Sequence, residues 1–167
     1  QTLLNTHWFY HDALCEHYGV EPWSREHWTI AETYLRNAAD HGVNTILTPL
    51  FTPPLDTAVG AERLTTQLVD VTVVGRNRYT FGFNRLGQWI RLAQRCGITH
   101  FELSHLATQW GAKNCPKIMA TVKGGRTRRI FGWDEDSTGA AYERFLSQFL
   151  PALSRFLQRA GVKDRCF

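Results

Sequence analysis

Apolar and polar positions repeat one unit three times along the chain: an apolar stripe at helical spacing, a glycine, a β-branched residue, then a short strand-like run. The first stripe, Ile30, Ala31, Tyr34, Leu35 and Ala38, predicts a helix from Ser24 to about Asp40, with Ser24 as N-cap and Gly42 at the C-terminal cap. Residues 43–48 then read as a strand. The second stripe, Leu86, Trp89, Ile90 and Ala93, predicts a helix from Asn84 to Gly97, and residues 98–103 follow as a strand. The third carries Tyr142, Phe145, Leu146, Phe149, Leu150, Leu153, Phe156, Leu157 and Ala160, starts near Ser137 or Thr138 and stops at Gly161. Its aromatic side is read as core, and Pro151 is expected to kink the helix or split it. A leading strand over residues 2–10 and a new strand opening at Arg165-Cys166-Phe167 complete the pattern.

Helix, glycine turn and strand in alternation predict an α/β fold with a parallel sheet. Three βα units plus the start of a fourth strand make part of a closed (β/α)8 TIM barrel, which needs about 250 residues. A doubly wound sheet closes sooner but has short βα loops, and here they are long. Residues 49–83 contain one predicted hairpin (68–74 and 78–83), and residues 107–136 contain another (118–122 and 128–133) around Gly124-Gly125. The αβ returns are short. Elaboration confined to the C-terminal ends of the strands is where barrel enzymes build their sites.

Composition changes this picture little. Hydrophobic residues at 43% and charged residues at 20% are ordinary for a folded domain. Six tryptophans suit stacking against sugar rings. No apolar run reaches the roughly 18 residues of a membrane span, so no membrane partner is expected. The N-terminus lacks a signal-peptide pattern, and a chain beginning on Gln1 is expected to be trimmed or excised. The net charge of +4 invites a nucleic-acid reading. The excess sits in Arg76-Asn77-Arg78 and in Lys123 to Arg129, expected hairpin tips where charge is solvated, so no nucleic-acid partner is expected. Cys15, Cys96, Cys115 and Cys166 form no C-x-x-C pair. Free, mostly buried thiols are expected, which leans toward a reducing, cytoplasmic compartment.

Candidate chemistry gathers at the predicted strand ends. After the first strand, His7, His11 and Asp12 could form a metal cluster. The stretch alternates like a strand and then turns, so sugar contacts or structural hydrogen bonds fit better. After the second, a loop stiffened by Pro49, Pro53 and Pro54 brings Asp56, Glu62, Arg63 and Gln67 within reach of one another. Either an acid there braces Arg63 or the group meets a ligand. After the third come Glu102, Ser104, His105, Gln109 and Lys113, with Trp110 offering a flat face to the C–H side of a pyranose. Asp134-Glu135 reads as negative charge at a helix N-terminus.

Several stretches are far more specific: His7-Trp8-Phe9, Thr48-Pro49-Leu50-Phe51-Thr52-Pro53-Pro54-Leu55-Asp56-Thr57, residues 66–71, Ser104-His105-Leu106 through Trp110-Gly111-Ala112-Lys113, and Pro116-Lys117-Ile118. In these the chain resembles the catalytic domain of glycoside hydrolase family 123. The resemblance implies that residues 1–167 are the N-terminal part of a (β/α)8 barrel, usually behind a β-sandwich, with β-N-acetylgalactosaminidase activity. The implied mechanism is retaining and substrate-assisted, with an adjacent Asp-Glu pair and no metal or organic cofactor. That pair belongs at the end of the fourth strand, beyond Phe167, so no catalytic residue is expected within the chain and turnover by it alone should be negligible. The expected substrate-binding residues are His7, Trp8, Asp12, Asp56, Gln67, His105, Gln109 and Trp110. The implied partners are a glycan or glycoconjugate, the rest of the barrel and the β-sandwich; without them a sheet edge and helix faces stay exposed. A non-catalytic carbohydrate-binding module is the alternative.

Overall fold

The computed structural model describes residues 3–109 and 111–167. Among them, three parallel strands form one sheet: β1 (Thr6–His7), β2 (Thr45–Thr48) and the third strand (His100–Leu103), in that spatial order. Each is followed by helix before the next. After β1 come α1 (His11–Tyr18) and α2 (Arg25–Asp40); after β2, α3 (Asn84–Arg95); after the third strand, α4 (Ala140–Arg159). The chain then places Cys166 in parallel register with Phe101, and Leu103 N–H donates to Phe167 O at 2.8 Å. This is the opening of a fourth strand. The fold is α/β with a parallel sheet that is not closed among the described residues.

The helices form where the stripes predict. Ser24 accepts the His27 N–H at 3.1 Å, and Gly42 adopts φ +85° where a left-handed residue must end the turn. Ala31 and Leu35 are fully buried, but Tyr34 is exposed and His27 takes a buried place on that face. In α3, Leu86, Trp89, Ile90 and Ala93 are buried as predicted, and the Trp89 indole donates to Thr48 Oγ1 at 3.2 Å.

Four expectations are corrected in whole or in part. The leading strand shrinks to Thr6–His7, and residue 2 lies outside the described residues. Helix α1 takes over at His11, where only a turn was expected, because His11, Leu14 and Cys15 form a buried helical face whose first member is polar and so hid the period. Pro151, expected to kink the helix or split it, does not split α4, which runs unbroken for 20 residues. The residue whose carbonyl it leaves unpaired, Ser147, is exposed, which keeps the cost of the missing bond low. Leu150, expected in the core stripe, is 44% exposed, while Tyr142, Phe145, Phe149, Leu153 and Leu157 are buried.

The two loop hairpins form as β3 (Asp70–Gly75) with β4 (Arg78–Gly82), and as β6 (Ile118–Thr121) with β7 (Thr127–Phe131), which makes the third parallel strand β5. They also join each other: β3 and β6 pair in parallel at Thr72 and Thr121, giving a second sheet of order β4-β3-β6-β7. Phe145 of α4 closes on this sheet, its ring 5.1–5.6 Å from those of Tyr79, Phe81 and Phe131.

Candidate active site

The C-terminal ends of β1, β2 and β5 converge. Strand alternation at the first end sends Phe9 inward to Trp89 and Tyr34, and Trp8 and Tyr10 the other way. The Trp8 indole N–H donates to Glu102 Oε2 of β5 at 2.7 Å, and its ring meets His105 edge-on at 5.6 Å. Trp8 is still 39% exposed, so the indole is fixed yet open to a ligand.

The Tyr10 hydroxyl donates to Asp56 Oδ2 at 2.8 Å, and the Asp56 N–H donates to Gln109 Oε1 at 3.0 Å. Asp56 sits at φ +53°, a left-handed conformation that Asp tolerates better than most residues. Burial, and then the Asp56 carboxylate, push the Tyr10 phenol up to about 12, so it stays a hydrogen-bond donor at neutral pH. Arg63 holds this corner together. Its guanidinium lies 4.0 Å over the Tyr10 ring, bonds Leu55 O at 2.9 Å and grips both Asp12 oxygens at 2.5 and 2.9 Å. The acid that braces Arg63 is thus Asp12, 51 residues away, not a loop neighbour. Beside this corner, an open cleft of about 520 Å³ is lined by Leu55, His105, Gln109, Ala112, Tyr142 and Leu146 among others. That volume suits a small ligand. The Ser104 hydroxyl, just past β5, is buried without a partner among the described residues.

Trp8, Asp56, His105 and Gln109 of the expected set come together. Asp12 is adjacent, but its carboxylate is spent on Arg63. His7 is exposed on β1, and its ring lies 6.2 Å from Phe9. Gln67 is elsewhere: nearly buried, it donates to Val69 O and Met119 O and accepts from Met119 N–H, clamping the two hairpins together. Trp110 lies outside the described residues. Tyr10 was not singled out from sequence, although its two-residue offset from Trp8 places both on one face of an extended segment. The metal reading fails on geometry. His11 is buried against His27 at 3.1 Å and Asp12 is bound by Arg63; among the described residues no three such side chains gather around one point.

At the basic second hairpin Lys123, Arg126 and Arg128 are exposed as expected, while Arg129 and the acidic pair after the hairpin are corrected. Arg129 is no solvated tip: it bonds Glu62 at 2.6 Å and both Asp134 oxygens at 2.6 and 2.7 Å, and Lys117 joins Glu62 at 3.0 Å. Asp134 therefore serves Arg129 rather than a helix end, and Asp136 instead accepts from the Thr138 N–H and hydroxyl before α4. Glu135 has one buried oxygen without a partner among the described residues, and burial raises its carboxyl above the usual range.

The chain matches the family described as glycoside hydrolase 123, catalytic domain, over residues 8–167. A family 123 glycoside hydrolase from Clostridium perfringens, solved in a study of glycolipid glycan hydrolysis, has a similar fold. Its TM-score is 0.73 at 12% identity, covering 97% of this chain and 28% of that one. The chain therefore spans little more than a quarter of that protein's length. No curated protein sequence matches it.

Proposed function

The chain belongs to the glycoside hydrolase 123 catalytic-domain family, and from that premise we propose that residues 1–167 form the first part of a (β/α)8 barrel whose parent releases terminal β-linked N-acetylgalactosamine. The substrate's 2-acetamido oxygen displaces the leaving oxygen from the anomeric carbon, closing an oxazolinium ring. Water then attacks that carbon and expels the acetamido oxygen, so that two inversions leave the product with retained configuration. An Asp orients that acetamido group, and the Glu beside it protonates the leaving oxygen. Both acids belong to the continuation of the strand that opens at Cys166. The residues in hand build the wall of the pocket. Trp8 offers its ring to the C–H face of the sugar, and Asp56, His105 and Gln109 meet its hydroxyls. Tyr10 and Arg63 hold Asp56 in place.

One observation carries this reading: side chains from three strand ends, far apart in sequence, are tied into a single corner through Trp8–Glu102, Tyr10–Asp56 and Asp56–Gln109. The full-length protein should hydrolyse an aryl β-N-acetylgalactosaminide faster than the glucosaminide, and the 167-residue chain alone should hydrolyse neither. Asp56→Asn and Trp8→Ala in the full-length protein should each lower kcat/KM about 10- to 100-fold, Trp8→Ala mainly through KM. Glycan binding without turnover by the full-length protein would leave a non-catalytic binding module instead.

A further inference from the structure

The outer face of α3 is a row of long polar side chains: Arg85, Gln88, Arg91 and Arg95, spaced three and four apart so that they share one side of the helix. An open cleft of about 530 Å³ on this face is lined by Arg85, Gln88 and Arg91 together with Trp23, Trp28 and Phe156. Grooves of about 340 and 370 Å³ continue from it on shared residues and add Arg25, Arg95 and Arg159. The acids nearby are already engaged: Glu32 by Arg36 at 2.5 Å and Asp70 by Arg85 at 3.3 Å. Among the described residues no ion pair engages Arg25, Arg91, Arg95 or Arg159.

Two further observations mark the cleft. Among the described residues the buried Trp23 indole nitrogen has no hydrogen-bond partner, and Trp23 is held at φ +61°. Gly87 stands inside α3, where only proline is less favourable. A Cβ there would lie 3.2 Å from Arg91 Nη1 and 3.6 Å from the Phe156 ring. The glycine leaves room for the guanidinium to lie against the helix beside that ring.

We infer that this face is a second ligand site, separate from the corner at the strand ends, and that it binds an acidic oligosaccharide. Guanidinium groups take carboxylates in paired hydrogen bonds. An indole face packs on the apolar side of a pyranose, and the Gln88 amide matches its hydroxyls. Trp28 lines two of the three clefts and is backed by Trp23, their rings 4.9 Å apart, so that a single indole offers one sugar-sized surface. The two indoles do not form the succession of open rings on which nucleic-acid bases stack.

The test is calorimetric titration of the full-length protein at low salt with tetragalacturonate, cellotetraose and an oligouridylate. Galacturonate has no 2-acetamido group, so it does not compete for the pocket proposed above, and the result does not depend on that proposal. Tetragalacturonate should bind and cellotetraose should bind far more weakly. Arg91→Gln and Gly87→Ala should each weaken binding about tenfold, while Arg128→Gln in the second hairpin leaves it unchanged. Turnover of the aryl glycoside should be untouched in all three variants. No binding of tetragalacturonate, equal binding of cellotetraose, tighter binding of oligouridylate, or affinity insensitive to Arg91→Gln would each overturn the inference.

Discussion

Asp12 and Arg63 are both withdrawn from water, their side chains 7% and 15% exposed, and each satisfies the other through two hydrogen bonds. Removing one leaves the other charged and unpaired, so Asp12→Ala should cost about 3–5 kcal/mol. Urea unfolding reads this directly, and an unchanged midpoint would mean that the loop does not depend on the pair. The buried histidines are coupled in a different way. His27 Nδ1 accepts the Trp23 N–H at 2.8 Å, so the His27 proton sits on Nε2 and is donated to His11 Nδ1. His11 then carries its own proton on Nε2, which is buried without a partner among the described residues. Burial lowers His27 from 6.5 to about 4 and His11 well below its usual value. The unfolded chain takes up these protons as pH falls below about 6.5, and the folded chain resists until about 4. Their contribution to stability is thus complete above pH 6.5 and lost as pH falls through that window, at up to about 1.4 kcal/mol per pH unit for each histidine. Unfolding midpoints at pH 7, 6 and 5 should decline in the unmutated chain and decline less in His27→Gln. Parallel declines in the two would remove the histidines as the cause.

At the scale of elements, α4 packs between the second sheet and the loop that follows β2. Phe145 and Phe149 pack on Phe51 of the second βα loop and on Phe81 of β4. Pro151 lies on the exposed side of this helix and costs it one hydrogen bond. Pro151→Ala should therefore stabilise the chain by about 1–3 kcal/mol, seen as a higher melting temperature. A lower melting temperature would mean that the proline bends α4 toward the sheet and that Phe149 and Leu153 need that bend. The hairpins β3–β4 and β6–β7 are each local, yet neither would be stable alone. Pairing through Thr72 and Thr121, the Gln67 clamp and cover from α4 make them one sheet.

For the molecule as a whole, the parallel sheet has one edge at β1 and another at the two residues that follow β5 as the start of a fourth strand. Unpaired strand edges invite pairing with another chain. The 167-residue chain in isolation should self-associate as its concentration rises, and a longer protein that continues the sheet should not. Sedimentation velocity distinguishes them, and a monomer at every concentration would show that the edges are already protected.

The period of the apolar positions was enough to locate α2, α3 and α4, the strands after their glycines and both hairpins, because helix and strand formation here is a local response to which side of the backbone must be buried. The convergence of Trp8, Asp56, His105 and Gln109 followed from the same logic, since parallel strands carry their C-terminal ends to one side. Long-range partnership was not legible. Asp12 with Arg63, Arg129 with Glu62 and Asp134, Gln67 between the hairpins, and β3 beside β6 all join groups whose charge or hydrogen-bonding capacity is generic. Which donor meets which acceptor was decided only when packing removed water and left each buried group its nearest complement.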